Sequence, residues 1–220
     1  ILTEIRGLVA LGYSEVVLSG VHLGSYGHDL GQTRGLEYLV CAILAETDVP
    51  RLRLSSLEPW DLDPEFFRIF DDARVLPHLH LPLQSGCDAT LARMARKTTV
   101  RGFADLLEAA RAVSHDIAIS TDVMVGFPGE TDEEFASSIA TVGSLGFSKL
   151  HVFRYSRREG TRAAAMPGQV PGPVAADRSA RMHDLGERLA SEYHHRFVGR
   201  RLNVLWEDAE KIGDQRRWSG

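Results

Sequence analysis

Cysteine is scarce in this sequence. Only Cys41 and Cys87 occur among 220 residues, and they are far apart along the chain. Two such thiols are too few for a disulfide framework or a multi-cysteine metal site, so no metal is expected to be held by this chain itself. Both are predicted to be ordinary buried or half-buried thiols. A reducing, cytoplasmic location is the expectation that follows.

Long apolar runs and targeting signals are also missing. No stretch approaches the roughly 18 to 20 apolar residues that span a bilayer, and the first residues lack the basic segment and cleavage site of a signal peptide, so no membrane contact is expected. The composition, with 44% hydrophobic and 25% charged residues, is that of a globular domain. It excludes a disordered, collagen-like or coiled-coil chain.

Positive charge is sparse in the first part of the chain and concentrated after it. Residues 1–153 carry 12 Lys and Arg against 21 Asp and Glu, whereas residues 154–201 carry 10 Arg against 5 acidic residues. Clustered arginines indicate a surface for a polyanion such as RNA. A salt-bridged amphipathic helix would explain the same charges, and composition alone does not separate the two interpretations.

Short β-branched apolar runs alternate with stretches of helical spacing throughout. This alternation predicts an α/β fold with a parallel sheet, either open and doubly wound or closed into a complete or partial barrel. The predicted strands are Glu15–Gly20, Arg51–Ser56, His78–Leu83, Ile117–Gly126 and Lys149–Tyr155. The predicted helices between them are Gly35–Glu46, Pro64–Ala73, Asp88–Arg96, Arg101–Val113 and Glu133–Leu145.

Both ends of the sequence suggest neighbouring elements. The chain opens on a helical pattern, so a strand that should precede Ile1 is expected to be absent. After the proline- and glycine-rich linker Pro167–Pro173, a long helix is predicted over Val174–Val198. Residues Leu202–Glu207 are then predicted to form a strand that begins a further module.

Ligands of parallel α/β folds bind at the carboxyl ends of the strands, so the residues there are the candidate site. Gly126 and Glu130 are weaker candidates in the GFPGETDEE segment, most of which is explained by a turn and by a capping box of Thr131 with Glu134. Ser85 has a second explanation as a helix cap. Asp122 interrupts an apolar strand, so it is either hydrogen-bonded structurally or directed into a site.

His78 and His80 alternate along one predicted strand and therefore share a face. With Asp122, and with His151 on another strand, they suggest the zinc site of a barrel hydrolase. Both histidines precede the carboxyl end of their strand, so core packing is the favoured explanation.

Five segments together resemble the radical S-adenosylmethionine (SAM) methylthiotransferases. They are EVVLSGVHLGSYG, RLRLSSLEPWDL, PHLHLPLQSGCDATLARMARK, STDVMVGFPGETDEEF and HVFRYSRREGTRAAAMPGQV. The SSLEP and GTRAAAMPGQV phrases are most similar to the branch that acts on threonylcarbamoyladenosine next to the tRNA anticodon.

The resemblance implies a fold and a division of the chain. Residues 1–166 would form strands two to six of a partial (β/α)6 TIM-like barrel without its first strand. Residues 167–200 would be the linker and long helix, and residues 201–220 the truncated start of a small all-β, TRAM-like RNA-binding domain. The three-cysteine loop that binds the 4Fe-4S cluster in this family has no counterpart here, because Cys41 and Cys87 do not match its positions. The activity therefore belongs to the intact protein, and this chain alone is expected to be inactive.

The resemblance also implies cofactors, partners and site residues. The cofactors are SAM and, in the intact protein, 4Fe-4S clusters. The partners are a tRNA anticodon stem-loop and an electron donor, and a monomer is expected. No catalytic acid or base is assigned, since the cofactor performs the difficult step. The SAM-binding positions are Ser19, Gly20, Ser55, Gln84, Ser85, Asp122, Val125, Gly126 and Tyr155. The tRNA-binding positions are Arg154, Arg157, Arg158, Arg162, Arg178, Arg181 and Arg196.

Two other functions remain open at this point. One is the metal-dependent barrel hydrolase that would use His78, His80 and Asp122. The other is a non-catalytic RNA-binding fragment, which the arginine-rich region would support without the cysteine loop.

Overall fold

The computed structural model describes residues 1–212 and 215–219. Six α-helices and seven strands occur in this part of the chain. The strands are β1 (Val16–Leu18), β2 (Leu52–Leu54), β3 (His78–His80), β4 (Ala118–Val125), β5 (Lys149–Arg154), β6 (Asp208–Ile212) and β7 (Gln215–Ser219). The α-helices are α1 (Leu2–Ala10), α2 (Gly35–Glu46), α3 (Asp88–Arg93), α4 (Val100–Val113), α5 (Asp132–Leu145) and α6 (Gly172–His195).

The first five strands run parallel and lie in chain order. β1 pairs with β2, and β3, β4 and β5 pair in that order. A single parallel bridge between Ser56 and His80 links the two groups. The predicted α/β fold with parallel strands is therefore confirmed, and all five predicted strands are present in shorter form.

The core fills the space between the strands and the helices. On β3 and β4 alternate residues are almost fully buried, among them Leu79, Ile119 and Val123. They belong to the same apolar cluster as Phe103 of α4 and Phe135 of α5. Because side chains alternate across a strand, the intervening residues must lie on the opposite, inner face of the sheet. That inner face is where the polar side chains gather.

Most predicted helices agree with the structure, with one difference in type. The segment predicted as a helix over Pro64–Ala73 is a 3₁₀ helix over Pro64–Asp71, begun by Asp63, whose side chain accepts a hydrogen bond from the amide of Phe66. Three buried side chains, Phe66, Phe67 and Ile69, anchor it. Eclipsed i, i+3 side chains let so short a segment direct its apolar residues to one side.

The C-terminal prediction is wrong in its position. Residues Leu202–Glu207 form no strand, and the strand begins at Asp208 as part of the antiparallel β6–β7 pair. The alternating pattern of LNVLWE indicated a half-buried strand, but Leu202, Val204 and Trp206 are all exposed, so no core fixes that segment in an extended ladder.

No helix in the described part of the chain is both long and apolar enough to cross a bilayer.

Candidate functional site

The inner face of the sheet carries a row of polar groups across β3, β4 and β5. His80 Nδ1 is 2.9 Å from Ser120 Oγ, and His80 Nε2 is 3.3 Å from Asp122 Oδ1. The rings of His80 and His151 meet edge to face with centroids 5.4 Å apart. Asp122 is therefore held on the inner face beside two imidazoles, with its side chain 24% exposed.

The histidines do not pack in the core, which corrects the prediction for His78 and His80. Both are half-buried and line an open groove of about 700 Å³ together with Ser120 and His151. Burial lowers the pKa of His78 from 6.5 to about 4 and lowers that of His151, so both imidazoles are neutral near pH 7.

The hydrolase hypothesis finds no support in this groove. Within residues 1–212 and 215–219, no group of three His, Cys, Asp or Glu side chains is placed to hold a metal ion. Cys41, predicted buried or half-buried, is exposed on α2, and Cys87 is half-buried just before α3. The two cysteines are thus unsuited to an iron-sulfur cluster, which needs more thiolates than this chain offers.

The carboxyl ends of the strands carry the predicted cofactor positions. Ser19 and Gly20 are exposed after β1, and Ser55 follows β2, where its amide donates to Leu18 O at 2.9 Å. Gln84 has a positive φ of 73°, and its amide donates to Asp122 O at 2.8 Å. The strained backbone at Gln84 therefore lies beside the carboxylate-bearing residue of β4.

An apolar groove of about 420 Å³ opens at the ends of β4 and β5. Met124, Phe127, Phe153 and Tyr155 contribute to its lining. The rings of Phe127 and Tyr155 meet edge to face at 5.4 Å, and the Tyr155 hydroxyl is buried without a hydrogen-bond partner in the described structure. An aromatic wall of this kind suits a flat heterocycle.

Three predicted positions are used by the fold itself. Ser85 is 1% exposed, and its Oγ accepts a hydrogen bond from the Cys87 amide at 3.3 Å. It does not cap α3, whose N-cap is Cys87. Val125 is 1% exposed, and the Gly126 amide donates to Glu130 Oε2 at 2.7 Å. A ligand near Val125 would therefore contact backbone atoms and not the buried Val125 side chain.

Glu130 and Arg178 form a buried ion pair, which corrects two predictions. Arg178 Nη1 lies 2.7 Å from Glu130 Oε2, and the two side chains are only 5% and 2% exposed. Arg178 is therefore not part of the predicted tRNA surface, and Glu130 is structural. Burial raises the pKa of the Glu130 carboxyl, and the hydrogen bonds from Gly126 and Arg178 oppose this. The capping box of Thr131 and Glu134 is confirmed.

The remaining predicted tRNA-binding arginines fall into two groups. Arg196 donates to His115 O at 2.7 Å and pairs with Asp116, and Arg181 is exposed near Asp177. The other four are exposed, and no ion pair to a carboxylate is found for them among the described residues. These four are Arg154, Arg157, Arg158 and Arg162.

Sequence reasoning missed one cation at this end of the sheet. Arg96 donates to Glu58 Oε2 and Pro82 O, both at 3.0 Å, and its guanidinium lies 4.7 Å above the Trp60 ring. The sequence ARMARK around it predicts a helix with its arginines facing solvent. Only the fold brings Arg96 to the ends of β2 and β3.

Comparison with known proteins matches this sequence to one superfamily. The profile described as "Radical SAM superfamily" matches residues 1–142. The chain is 38% identical over 217 residues to the threonylcarbamoyladenosine tRNA methylthiotransferase MtaB of Bacillus subtilis (strain 168), covering 96% of this chain and 47% of that protein. It is 41% identical over 223 residues to the tRNA-2-methylthio-N(6)-dimethylallyladenosine synthase of Acidothermus cellulolyticus, covering 100% of this chain and 45% of that protein.

The fold is similar to that of solved radical SAM enzymes. The structure of coproporphyrinogen III oxidase HemN from Escherichia coli superposes with a TM-score of 0.63 at 16% identity, covering 90% of this chain and 45% of that one. The chain spans about half the length of the curated relatives that it matches.

Proposed function

Because the chain belongs to the radical SAM superfamily and, within it, to the methylthiotransferases, we propose that it forms the cofactor-binding barrel of an enzyme that methylthiolates an adenosine in tRNA. The cofactors of this family are SAM and 4Fe-4S clusters. When bound, they supply a carbon radical that removes hydrogen from an unreactive carbon, and the protein supplies binding, orientation and exclusion of water. The observation that carries the proposal is the set of polar and aromatic groups at the ends of five parallel strands.

On this proposal the chain's own residues receive SAM part by part. The aromatic groove formed by Phe127, Phe153 and Tyr155 receives the adenine ring. Asp122 and Gln84, joined through the backbone, accept and donate to the ribose hydroxyls. The exposed backbone at Ser19 and Gly20 meets the amino group. Arg96 is the cation for the carboxylate.

An iron-sulfur cluster does not fit the residues of this chain. No triad of ligands is available among the residues that the structure describes. On this proposal a further parallel strand pairs with the second edge of β1, which in the described part of the chain pairs with β2 alone. The β6–β7 pair begins a TRAM-like RNA-binding domain.

The tRNA is proposed to lie against the loop after β5. The four exposed arginines there, Arg154, Arg157, Arg158 and Arg162, supply the positive charge that phosphates require. The intact protein acts as a cytoplasmic monomer that receives electrons from a separate donor.

The proposed substrate is threonylcarbamoyladenosine, on the basis of the SSLEP and GTRAAAMPGQV phrases. The competing substrate is the dimethylallyl-adenosine named for the second relative. Disrupting the gene in its source organism and analysing tRNA nucleosides by mass spectrometry separates the two. Loss of the methylthio derivative of threonylcarbamoyladenosine supports the proposal. Loss of the methylthio derivative of dimethylallyl-adenosine shows that this nucleoside is the substrate instead. No loss of either derivative refutes methylthiolation.

Cofactor binding by this chain is tested directly with S-adenosylhomocysteine in a calorimeter. Asp122→Ala is expected to weaken binding about tenfold, because a hydrogen bond to a charged group contributes about 1.5 kcal/mol or more. The control Asp105→Ala removes an exposed carboxylate on α4. Equal affinity of the Asp122 variant and its control would refute the placement of the ribose.

A further inference from the structure

The loop that follows β1 is built to touch the segment that follows β2. Gly24 lies in this loop and is buried, and a Cβ placed there would be 2.8 Å from the Cβ of Asp61. Any larger residue would clash with the Asp61 side chain, so the glycine permits the loop backbone to approach that side chain closely.

A side-chain hydrogen bond joins the same two segments. His22 Nε2 lies 2.5 Å from Asp61 Oδ2, with the imidazole 45% and the carboxylate 10% exposed. Asp61 is fixed in turn by a 3₁₀ turn over Pro59–Asp61, whose last amide donates to Glu58 O at 3.0 Å. In the described structure this is the only side-chain hydrogen bond between residues 19–31 and residues 55–63.

The loop also holds its own shape around His22. The Ser25 amide and the Ser25 hydroxyl both donate to His22 O, at 3.1 Å and 2.8 Å. The imidazole therefore extends from a closed turn, and its bond to Asp61 fixes the turn as a unit. A short hydrogen bond between an imidazole and a mostly buried carboxylate is stronger than one between exposed neutral groups.

We propose that His22 and Asp61 are positioning residues, which hold the backbone at Ser19 and Gly20 at a fixed distance from the end of β2. Neither side chain contacts the ligand. They act through the loop that presents the amides and carbonyls to the amino-acid part of SAM, and this role rests on the function proposed above. A site whose walls come from two loops needs such a connection, because unattached loop backbone is the least stable part of a fold.

The test uses three variants of the 220-residue chain. His22→Ala removes the bond, and His22→Gln keeps a nitrogen donor at a similar reach. Arg6→Ala is the matched control, because it removes another exposed ion pair between two elements, with Glu46 at 2.9 Å. Amide hydrogen exchange of residues 20–27 is measured without ligand, and affinity for S-adenosylhomocysteine is measured by calorimetry.

We expect exchange of the loop amides to rise about tenfold in His22→Ala, which corresponds to the loss of one hydrogen bond to a charged group. The affinity for S-adenosylhomocysteine is expected to fall by a similar factor. His22→Gln should restore both quantities, and Arg6→Ala should change neither.

The outcomes separate this inference from the proposed function. Unchanged loop exchange in His22→Ala overturns the connection itself. Faster exchange with unchanged affinity overturns the positioning role and leaves the SAM site in place. An unaltered chain that does not bind S-adenosylhomocysteine overturns the SAM site and the positioning role together, while the hydrogen-exchange result still reports on the connection.

Discussion

Removing Arg178 should leave Glu130 charged and buried with only one donor. The guanidinium comes from α6 and reaches the loop after β4, where Glu130 Oε2 also accepts the Gly126 amide. Breaking a buried pair by deleting one partner costs about 3 to 5 kcal/mol. The retained bond from Gly126 places Arg178→Met near the lower end, at about 3 kcal/mol. In a chain of this length that corresponds to a decrease in melting temperature of about 6 to 12 °C.

The loss of stability in Arg178→Met should also depend on pH, and the direction of that dependence follows from the pKa of Glu130. Burial already raises the pKa of this carboxyl from its ordinary value of 4.5, and removing Arg178 raises it further. A group whose pKa is higher in the folded state contributes stability at low pH, which is lost as the pH rises through the folded-state value. The deficit of Arg178→Met relative to the parent should therefore be larger at pH 8 than at pH 5.

The assay is urea unfolding followed by circular dichroism at both pH values. Arg181→Met is the control on the same helix, because Arg181 is 54% exposed and its 3.7 Å pair with Asp177 is an exposed one. That control should lose less than about 1 kcal/mol. The double variant Arg178→Met, Glu130→Leu should recover most of the stability, since apolar replacement of a buried pair is often nearly neutral. A loss for Arg178→Met no larger than that of the control, or one independent of pH, would refute this reasoning.

Three further measurements test other parts of the structure. Reversing Arg157 and Arg158 to Glu should weaken binding of an RNA stem-loop. It should also make the plot of log affinity against log salt concentration less steep, by the amount expected for the loss of about two phosphate contacts. An unchanged slope would place the RNA elsewhere. Nuclear magnetic resonance titration should give His78 a pKa of about 4, because burial disfavours the charged imidazole. The folded protein should therefore lose stability as the pH falls from about 6.5 to 4, where the unfolded chain binds a proton more readily than the folded one. A pKa near 6.5 would contradict that burial. Thr131→Ala should cost about 1 kcal/mol in urea unfolding through loss of the capping box, and an unaltered midpoint would show that the cap is dispensable.

Sequence patterns predicted the elements well where one local rule decides them. The βα alternation located β1 to β5, and the S/T-x-x-E spacing located the start of α5 at Thr131. These features depend on neighbours within one turn or one strand. The strand predicted over Leu202–Glu207 failed because its alternation is not matched by burial, and burial depends on what the rest of the fold brings alongside.

Charge pattern was a weaker guide to function than strand position. Arg178 and Arg157 belong to the same basic stretch of sequence, yet one is buried against Glu130 and the other is exposed. The difference arises because the first turns of α6 pack against the loop after β4, and no local pattern encodes that contact. Arg96 shows the converse, since a residue in a plain helical pattern comes to lie beside Glu58 and Trp60.

Histidines on the inner face show why position in a strand decides chemistry. His80 and Asp122 sit on neighbouring strands with the same orientation, and the register that pairs His80 with Ser120 also brings Asp122 within 3.3 Å of the imidazole. Shifting either strand by one residue would turn these side chains into the apolar layer, where an uncompensated carboxylate is costly. The register is fixed by the buried residues between them, Leu79, Ile119 and Val123. The same residues that form the core therefore fix the place of the carboxylate assigned here to the ribose of SAM.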